Sequence, residues 1–264
     1  MLIVDSQIHI WKDSKMSAHH RQIPTYSKED ALKEMAEAGV DAAVLHPPST
    51  LGEAMNTLAV EAVKAHPDKF CILGNFDLTA PNRLDIVKNW RQRPGMLGFR
   101  FTFNQPHQQA WWTDGSLDWF WAACEQEKLP VGLLAGGHMA ALGAIAERHP
   151  GLKLVAAHGG GFLPSYLPRS DHGYEVRPEA QTIPHPPSHY LRRIWVDALV
   201  YQPENVAHLI RTLGASQVVL GTDYPFDMGE ERPIEVLDKV ADLSAEDRQR
   251  IARGNALGLL GMAQ

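Results

Sequence analysis

Three residues of this chain stand where short apolar runs finish and carry side chains suited to proton transfer. Asp223 follows Val218-Val219-Leu220-Gly221-Thr222, His158 follows Leu154-Val155-Ala156-Ala157, and His9 closes the opening run. A carboxylate at such a place is costly to bury unless it serves a metal, a cation or a proton transfer, so Asp223 reads as a water-activating base or a metal ligand. A helix cap or an ion pair to a buried arginine is the plainer alternative. An imidazole titrates near neutrality, which suits His9 and His158 to acid–base work or to polarising a carbonyl; at both, a hydrogen-bonded structural histidine is the plainer reading. The Gly159-Gly160-Gly161 turn after His158 would let a substrate approach the backbone and could offer N–H groups to an oxyanion.

Gln7 lies two residues before His9, so in a strand both side chains leave on one face and could present a metal with adjacent donors. One of the two is an amide, a poor ligand for Zn²⁺. Arg100, in Gly98-Phe99-Arg100-Phe101, would clamp a carboxylate if it points inward, or form a structural ion pair if it does not. His46, Asp77 and Asp197 also end apolar runs and read as caps or supporting partners. His138 comes a little after the fifth run. His19, His20, His66, His149, His185 and His208 fall in loops or helices and read as solvated.

Eight short β-rich runs would position these groups: Leu2–His9, Ala42–His46, Phe70–Phe76, Met96–Thr102, Pro130–Ala135, Lys153–Ala157, Ile194–Val200 and Val218–Thr222. Amphipathic segments alternate with them: Lys28–Ala38, with Ser27 and Asp30 for cap chemistry and Leu32, Met35 and Ala36 on one face, then Glu53–Ala65, Leu84–Trp90, Leu117–Glu127, Ala140–Arg148, Glu204–Leu213, Ile234–Val240 and Ala245–Leu260, broken at Gly254. Strand–helix alternation with no Gly-rich phosphate loop after the first strand predicts an α/β fold, a (β/α)8 TIM barrel of one domain over residues 1–264, with an open doubly wound sheet as runner-up. Residues 12–26, residues 104–114 and the proline-rich stretch 159–190 read as irregular loops at the barrel mouth, where strands finish and active sites lie.

The 264 residues carry a formal charge of -6, are 44% hydrophobic and 21% charged, and hold two cysteines. No face gathers the Lys and Arg that a nucleic-acid partner needs. No apolar run approaches the roughly 20 residues of a membrane span, and the opening MLIVDSQIHIW reads as a strand and not a signal peptide. A soluble, cytoplasmic protein acting on small molecules is the expectation.

His158-Gly159-Gly160-Gly161, Arg169, His172-Gly173-Tyr174, Arg177-Pro178, Gly221-Thr222-Asp223-Tyr224-Pro225-Phe226 and Gly254-Asn255-Ala256 resemble the amidohydrolase-related family of TIM barrels, in particular the aminocarboxymuconate semialdehyde decarboxylases. The N-terminal half, through Gly95-Met96-Leu97-Gly98-Phe99-Arg100-Phe101, looks more like the branch holding 2-pyrone-4,6-dicarboxylate lactonase. The resemblance implies Asp223 as metal ligand or water-activating base, His158 in acid–base chemistry, and Arg169 reaching a neighbouring subunit's substrate, hence a homodimer. The family's His-x-His or Glu-x-His on strand one is here Gln7-Ile8-His9, and Leu134 stands where a strand-five histidine is usual.

Three readings follow. The first is a hydrolase of a small carboxylated lactone, ester or amide, with Asp223 activating water, His9 and His158 polarising the carbonyl, and Arg100, Arg169, His46 and Trp11 contacting substrate. The alternative is a non-oxidative decarboxylase using one divalent ion, Zn²⁺ or Mn²⁺, held by His9, Asp223 and Gln7, with no organic cofactor. The third is a catalytically silent or chimeric barrel, motivated by the two-branch ancestry.

Overall fold

The computed structural model describes residues 2–15, 21–48, 51–135 and 138–262, so His19 and His20 lie outside the described residues. Eight parallel strands follow one another in sequence order around one sheet: β1 Val4–Ile8, β2 Ala42–Leu45, β3 Phe70–Gly74, β4 Met96–Phe101, β5 Val131–Leu133, β6 Leu154–Ala156, β7 Trp195–Asp197 and β8 Val218–Val219. Each expected run contains one of them, and the chain is a (β/α)8 barrel. The observed strands are shorter because their final residues turn out of the ladder into the mouth loops.

The seam between last and first strands is made largely beyond β8. Leu220 O accepts from Ser6 N at 2.7 Å, Gln7 O from Asp223 N at 2.9 Å, and Tyr224 O from His9 N at 2.8 Å. Asp5 clamps the same seam from behind, its carboxylate accepting from Gln7 N, Thr222 N and Thr222 Oγ1 at 3.0, 3.1 and 2.6 Å. Residues 220–222 were expected to finish a regular strand; the chain leaves β8 after two residues because the backbone groups beyond it are satisfied by β1 and by Ile251 O, which accepts from Leu220 N.

The outer helices are α1 Lys28–Ala38, α2 Glu53–Ala65, α3 Arg83–Lys88, α4 Asp118–Gln126, α5 Met139–Arg148, α6 Leu163–Val176, α7 Pro187–Leu191, α8 Pro203–Leu213, α9 Pro233–Asp238, α10 Ala245–Gln249 and α11 Asn255–Leu260. Ser27 and Asp30 close the capping box of α1, as their spacing predicts, but its buried residues are Ala31 and Met35, while Ala36 is exposed. Between α10 and α11 the chain makes one wide π turn at Arg250–Gly254 rather than a simple break. Asn255 then donates to Ala215 O and Val218 O at 2.7 Å, pinning the C-terminal helix to the start of β8. An aromatic layer of Trp90, Phe99, Phe101 and Phe120 fills the space between β4 and its helices, with Trp90 and Phe99 ring centres 4.4 Å apart. Burying each such ring contributes roughly 1.5–3 kcal/mol.

The stretch 159–190 corrects the expectation of an irregular insert. It contains the fourteen-residue α6, a single 3₁₀ turn at Pro178–Ala180 and α7. Pro164 sits in the first turn of α6, where a missing N–H costs nothing, and Pro168 lies inside the helix.

Candidate functional site

Asp5, Gln7 and His9 alternate along β1 and beyond it, and all three are buried, at 2%, 4% and 6% exposure. The latter two converge on Asp223. Gln7 Nε2 donates to Asp223 Oδ1, and His9 Nε2 lies 2.9 Å from the same oxygen. His9 Nδ1 lies 2.7 Å from His46 O, so both ring nitrogens of His9 face acceptor oxygens. His158 Nε2 approaches Asp223 Oδ2 at 3.5 Å, an ion-pair distance, and its side chain, 38% exposed, is where the cluster opens to solvent. The carboxylate thus faces three donors, two on the first strand and its extension and one on a turn, and the first two use a single oxygen.

Backbone conformation holds these side chains in place. His158 and Asp223 both adopt the left-handed region, at φ 59° and 57°, which aims each side chain back over the barrel mouth. Gly159 follows at φ 62°, and a Cβ there would lie 2.4 Å from Val200 Cγ1, so only glycine fits. Asp197 secures the turn by accepting from His158 N and Gly159 N at 2.9 Å and from Leu199 N at 3.2 Å. This decides the role of Asp197, which sequence left between cap and partner: it caps the His158 turn. It also engages the Gly159 amide, and Gly161 N donates to His158 O at 2.9 Å, so two of the three glycine amides expected to serve an oxyanion have partners within the fold.

Arg100 points into the barrel. It is 7% exposed, and Nη1 donates to Phe101 O at 2.6 Å while Nε has no partner. Among the described residues no carboxylate lies within ion-pair distance of it, so its charge faces the mouth uncompensated at close range. Gly132 makes the space, since a Cβ there would stand 3.0 Å from Arg100 Cδ. His46 is equally enclosed at 3% exposure, with neither ring nitrogen hydrogen-bonded, and its ring meets His9 edge-on at 6.0 Å.

Charges follow the geometry. Burial alone would raise the Asp223 carboxyl, but His158 and His9 outweigh it and hold the group well below the ordinary carboxylate range. Burial would lower His158, yet Asp223 and Asp197 bring it above the usual histidine value. Burial, then Arg100 and His9, keep His46 well below that value and therefore neutral. Asp5 is pushed up to about 7 by burial, against the pull of Thr222 and Gln7.

Other expected contacts fall elsewhere. Trp11 is fully buried, donates through its indole N–H to Ile23 O at 3.0 Å and stacks on Phe226, so it backs the wall behind His9 and has no face left for substrate. Arg169 is exposed on α6. Asp77 is exposed and caps its own turn through Thr79. His138 stacks on Trp112 and pairs with Gln109 Oε1 at 2.9 Å, so it does not fold back to stand in for the side chain that Leu134 lacks. Asp5 was missed as a candidate, although its spacing of two from Gln7 places it on the same face.

A divalent ion finds few donors here. Among the described residues no group of three or more His, Cys, Asp or Glu side chains is placed to hold one. Gln7 turns its N–H, not a lone pair, toward Asp223. A catalytic mononuclear centre needs at least three protein donors with free lone pairs, water filling the rest, and the described residues do not bring three together.

The strand ends of this barrel gather a carboxylate, two histidines and an inward arginine. Residues 4–262 match the profile of the Amidohydrolase family, and the chain belongs to it. It is 37% identical to the 2-amino-3-carboxymuconate-6-semialdehyde decarboxylase of Dictyostelium discoideum over 122 residues, which span 46% of this chain and 34% of that protein. Against the enzyme of the same name from Caenorhabditis elegans it is 35% identical over 187 residues, spanning 68% of this chain and 46% of the other. The matches therefore cover between a third and a half of those relatives. Among solved structures, a dihydroxybenzoic acid decarboxylase from Polaromonas, with bound manganese and the inhibitor 2-nitroresorcinol, superposes with a TM-score of 0.77 at 16% identity, covering 98% of this chain and 97% of that one. At that identity the likeness is one of fold.

Proposed function

We propose that this chain is a non-oxidative decarboxylase of small aromatic or dienoic acids bearing a second acidic oxygen. The observation that carries the reading is the His158–Asp223 pair: a half-exposed imidazole whose Nε2 turns inward to a buried carboxylate that keeps it protonated, in the same barrel as Arg100, whose Nε is unpaired. The names of the relatives, decarboxylases of a carboxymuconate semialdehyde and of a dihydroxybenzoic acid, support the same chemistry.

Arg100 would take the substrate's second oxygen, a hydroxylate or carboxylate, and not the carboxylate that leaves. Pairing the departing group with a cation would stabilise the ground state more than the transition state, in which that charge is lost. With the second oxygen on Arg100, the reacting carbon lies toward His158. With His158 Nε2 kept toward Asp223 Oδ2, the imidazolium gives the proton on its other nitrogen, Nδ1, to that carbon, the C–CO₂ bond breaks, its electron pair returns to the π system, and CO₂ departs. The sum is one carboxylate and one proton giving one C–H bond and CO₂. His9 and Gln7 keep Asp223 ionised throughout, so His158 is reprotonated from solvent on its exposed side.

The hydrolase reading asks Asp223 to remove a proton from water. A carboxylate already bound by Gln7 and His9 and held far below its ordinary range is a weak base for that step, which favours the decarboxylase. The proposal extends to the assembly and compartment. Arg169 shares a face of α6 with the exposed Phe162, Tyr166 and Val176, which suits a homodimer contact. The thiols Cys71 and Cys124 are unpaired, which suits the cytoplasm, and no described helix is long and apolar enough to cross a membrane.

The test is a panel of hydroxybenzoates, carboxylated dienoates, pyrones and lactones, followed both for CO₂ release and for acid formation. CO₂ release by the wild type, lost in Asp223→Asn and His158→Gln, is expected. Acid formation without CO₂ would replace this reading with the hydrolase, and a folded chain inert on every compound would leave the barrel catalytically silent.

A further inference from the structure

Strand-one residue Gln7 does what a bound cation does elsewhere. In a metal-centred barrel, the buried aspartate at the end of the last strand is neutralised by the ion that it ligates. Here Asp223 Oδ1 receives two protein donors, Gln7 Nε2 and His9 Nε2. A carboxylate oxygen has two in-plane lone pairs, so these fill its coordination capacity. The remaining oxygen faces His158, 3.5 Å away. His9 contributes no spare lone pair either, since its Nδ1 side is engaged by His46 O and its Nε2 side by Asp223. At strand five, where a further donor would be needed, Leu134 has none to give, and His138 is occupied by Gln109 and Trp112.

From this we infer that the chain runs its site without a resident metal ion, with the Gln7 amide and the His9 imidazole jointly replacing the cation against Asp223. The inference rests on the site proposed above but not on the reaction, because it concerns what balances a buried charge. An amide N–H and an imidazole N–H together supply two short donors and the positive potential that ionised Asp223 requires. Neither can leave the site, so its electrostatics are independent of metal supply.

Replacing Gln7 by Glu changes one nitrogen to oxygen at constant shape. It removes the donor, sets two carboxylates side by side and creates a lone pair aimed at the place a cation would take. The experiment measures metal content by mass spectrometry, and Tm with EDTA, Zn²⁺ or Mn²⁺, on the full chain in wild-type, Gln7→Glu and Gln7→Leu forms.

Wild type purified without chelator is expected to carry below about 0.1 equivalents of divalent metal, with Tm unmoved by EDTA. Gln7→Glu is expected to lose stability in EDTA and to regain at least about 5 °C with saturating Zn²⁺ or Mn²⁺. Gln7→Leu, which lacks both donor and ligand, should be destabilised with no metal rescue; if Gln7→Glu fails to fold, the wild-type metal content and its EDTA response decide alone. About one equivalent of tightly held metal in wild type, with a Tm that falls in EDTA, overturns the inference. So does a Gln7→Glu variant as stable as wild type in EDTA and indifferent to both ions. Neither outcome depends on turnover, so a wrong reaction assignment cannot be mistaken for a wrong metal assignment.

Discussion

Replacing Asp5 by Asn should make the protein more stable at pH 8 while leaving it nearly unchanged at pH 4. Asp5 is 2% exposed and sits behind the β1–β8 seam, and its carboxyl is pushed from an ordinary 3.8 up to about 7. An acid whose folded-state value is raised binds more protons when folded than when unfolded across that interval. Stability therefore falls as pH rises from about 4 to about 7 and levels off above. Three units at about 1.36 kcal/mol each give on the order of 4 kcal/mol for the cost of ionising Asp5 in the fold. Asn cannot ionise and keeps the geometry: its Oδ1 accepts from Gln7 N and Thr222 N, its Nδ2 faces Thr222 Oγ1, and that hydroxyl can turn to Gln7 O, 3.4 Å away. For a domain of this size the gain at pH 8 corresponds to roughly 8–16 °C in Tm. The assay is thermal and urea unfolding of both proteins at half-unit steps from pH 4 to 8.5, reading the difference between them so that other titrating groups cancel. A variant less stable than wild type at pH 8 would refute the reasoning. It would mean that the three donors around Asp5 hold it as an anion and outweigh burial.

Asp223→Asn removes the charge that holds the His158 proton. CO₂ release at pH 7 should fall by at least about a hundredfold, and the alkaline limb of the pH–rate profile should move to lower pH, because activity needs protonated His158 and is lost as pH rises through its folded value. An unchanged limb would show that another group supplies the proton. Gly132→Ala crowds Arg100 Cδ and should raise KM about tenfold with kcat changed less, an outcome read from steady-state kinetics; a fall in kcat at unchanged KM would place Arg100 in the transition state alone. Asp197→Asn keeps one acceptor for the two amides of the His158 turn and should lower kcat about tenfold, with a lower alkaline limb, at unchanged KM. A shift in KM alone would detach Asp197 from the positioning of His158.

Much of this architecture was legible because hydrophobic period and cap chemistry coincide. Ser27 with Asp30 and the apolar period place α1 at Lys28–Ala38, and strand–helix alternation defines the barrel. The alternation of Gln7 and His9, and the charged residues ending apolar runs, located the cluster around Asp223. What stayed hidden depends on partners distant in sequence. Asp197 looks like any strand-end acid until its carboxylate meets the amides of His158 and Gly159, nearly forty residues earlier. Trp11 adjoins the cluster in sequence, but its burial against Phe226 could not be read from one chain segment. Helix α6 was missed because its prolines read as breakers, whereas Pro164 occupies the turn that tolerates one.

The seam between first and last strands has a consequence for dissecting the protein. Cut at the exposed Lys128 ahead of β5, the chain would leave Gln7, His9, His46 and Arg100 on one fragment and His158, Asp197 and Asp223 on the other. The first would hold the anchoring cation and the amide without the acid that they serve, and the second a proton carrier with nothing to aim it at. Every hydrogen bond from β1 to residues 220–224 would then have to form between fragments, so recovered turnover would report their reunion. The division of the site across the closure makes the barrel a natural split reporter, silent in halves and active only when the ring is whole.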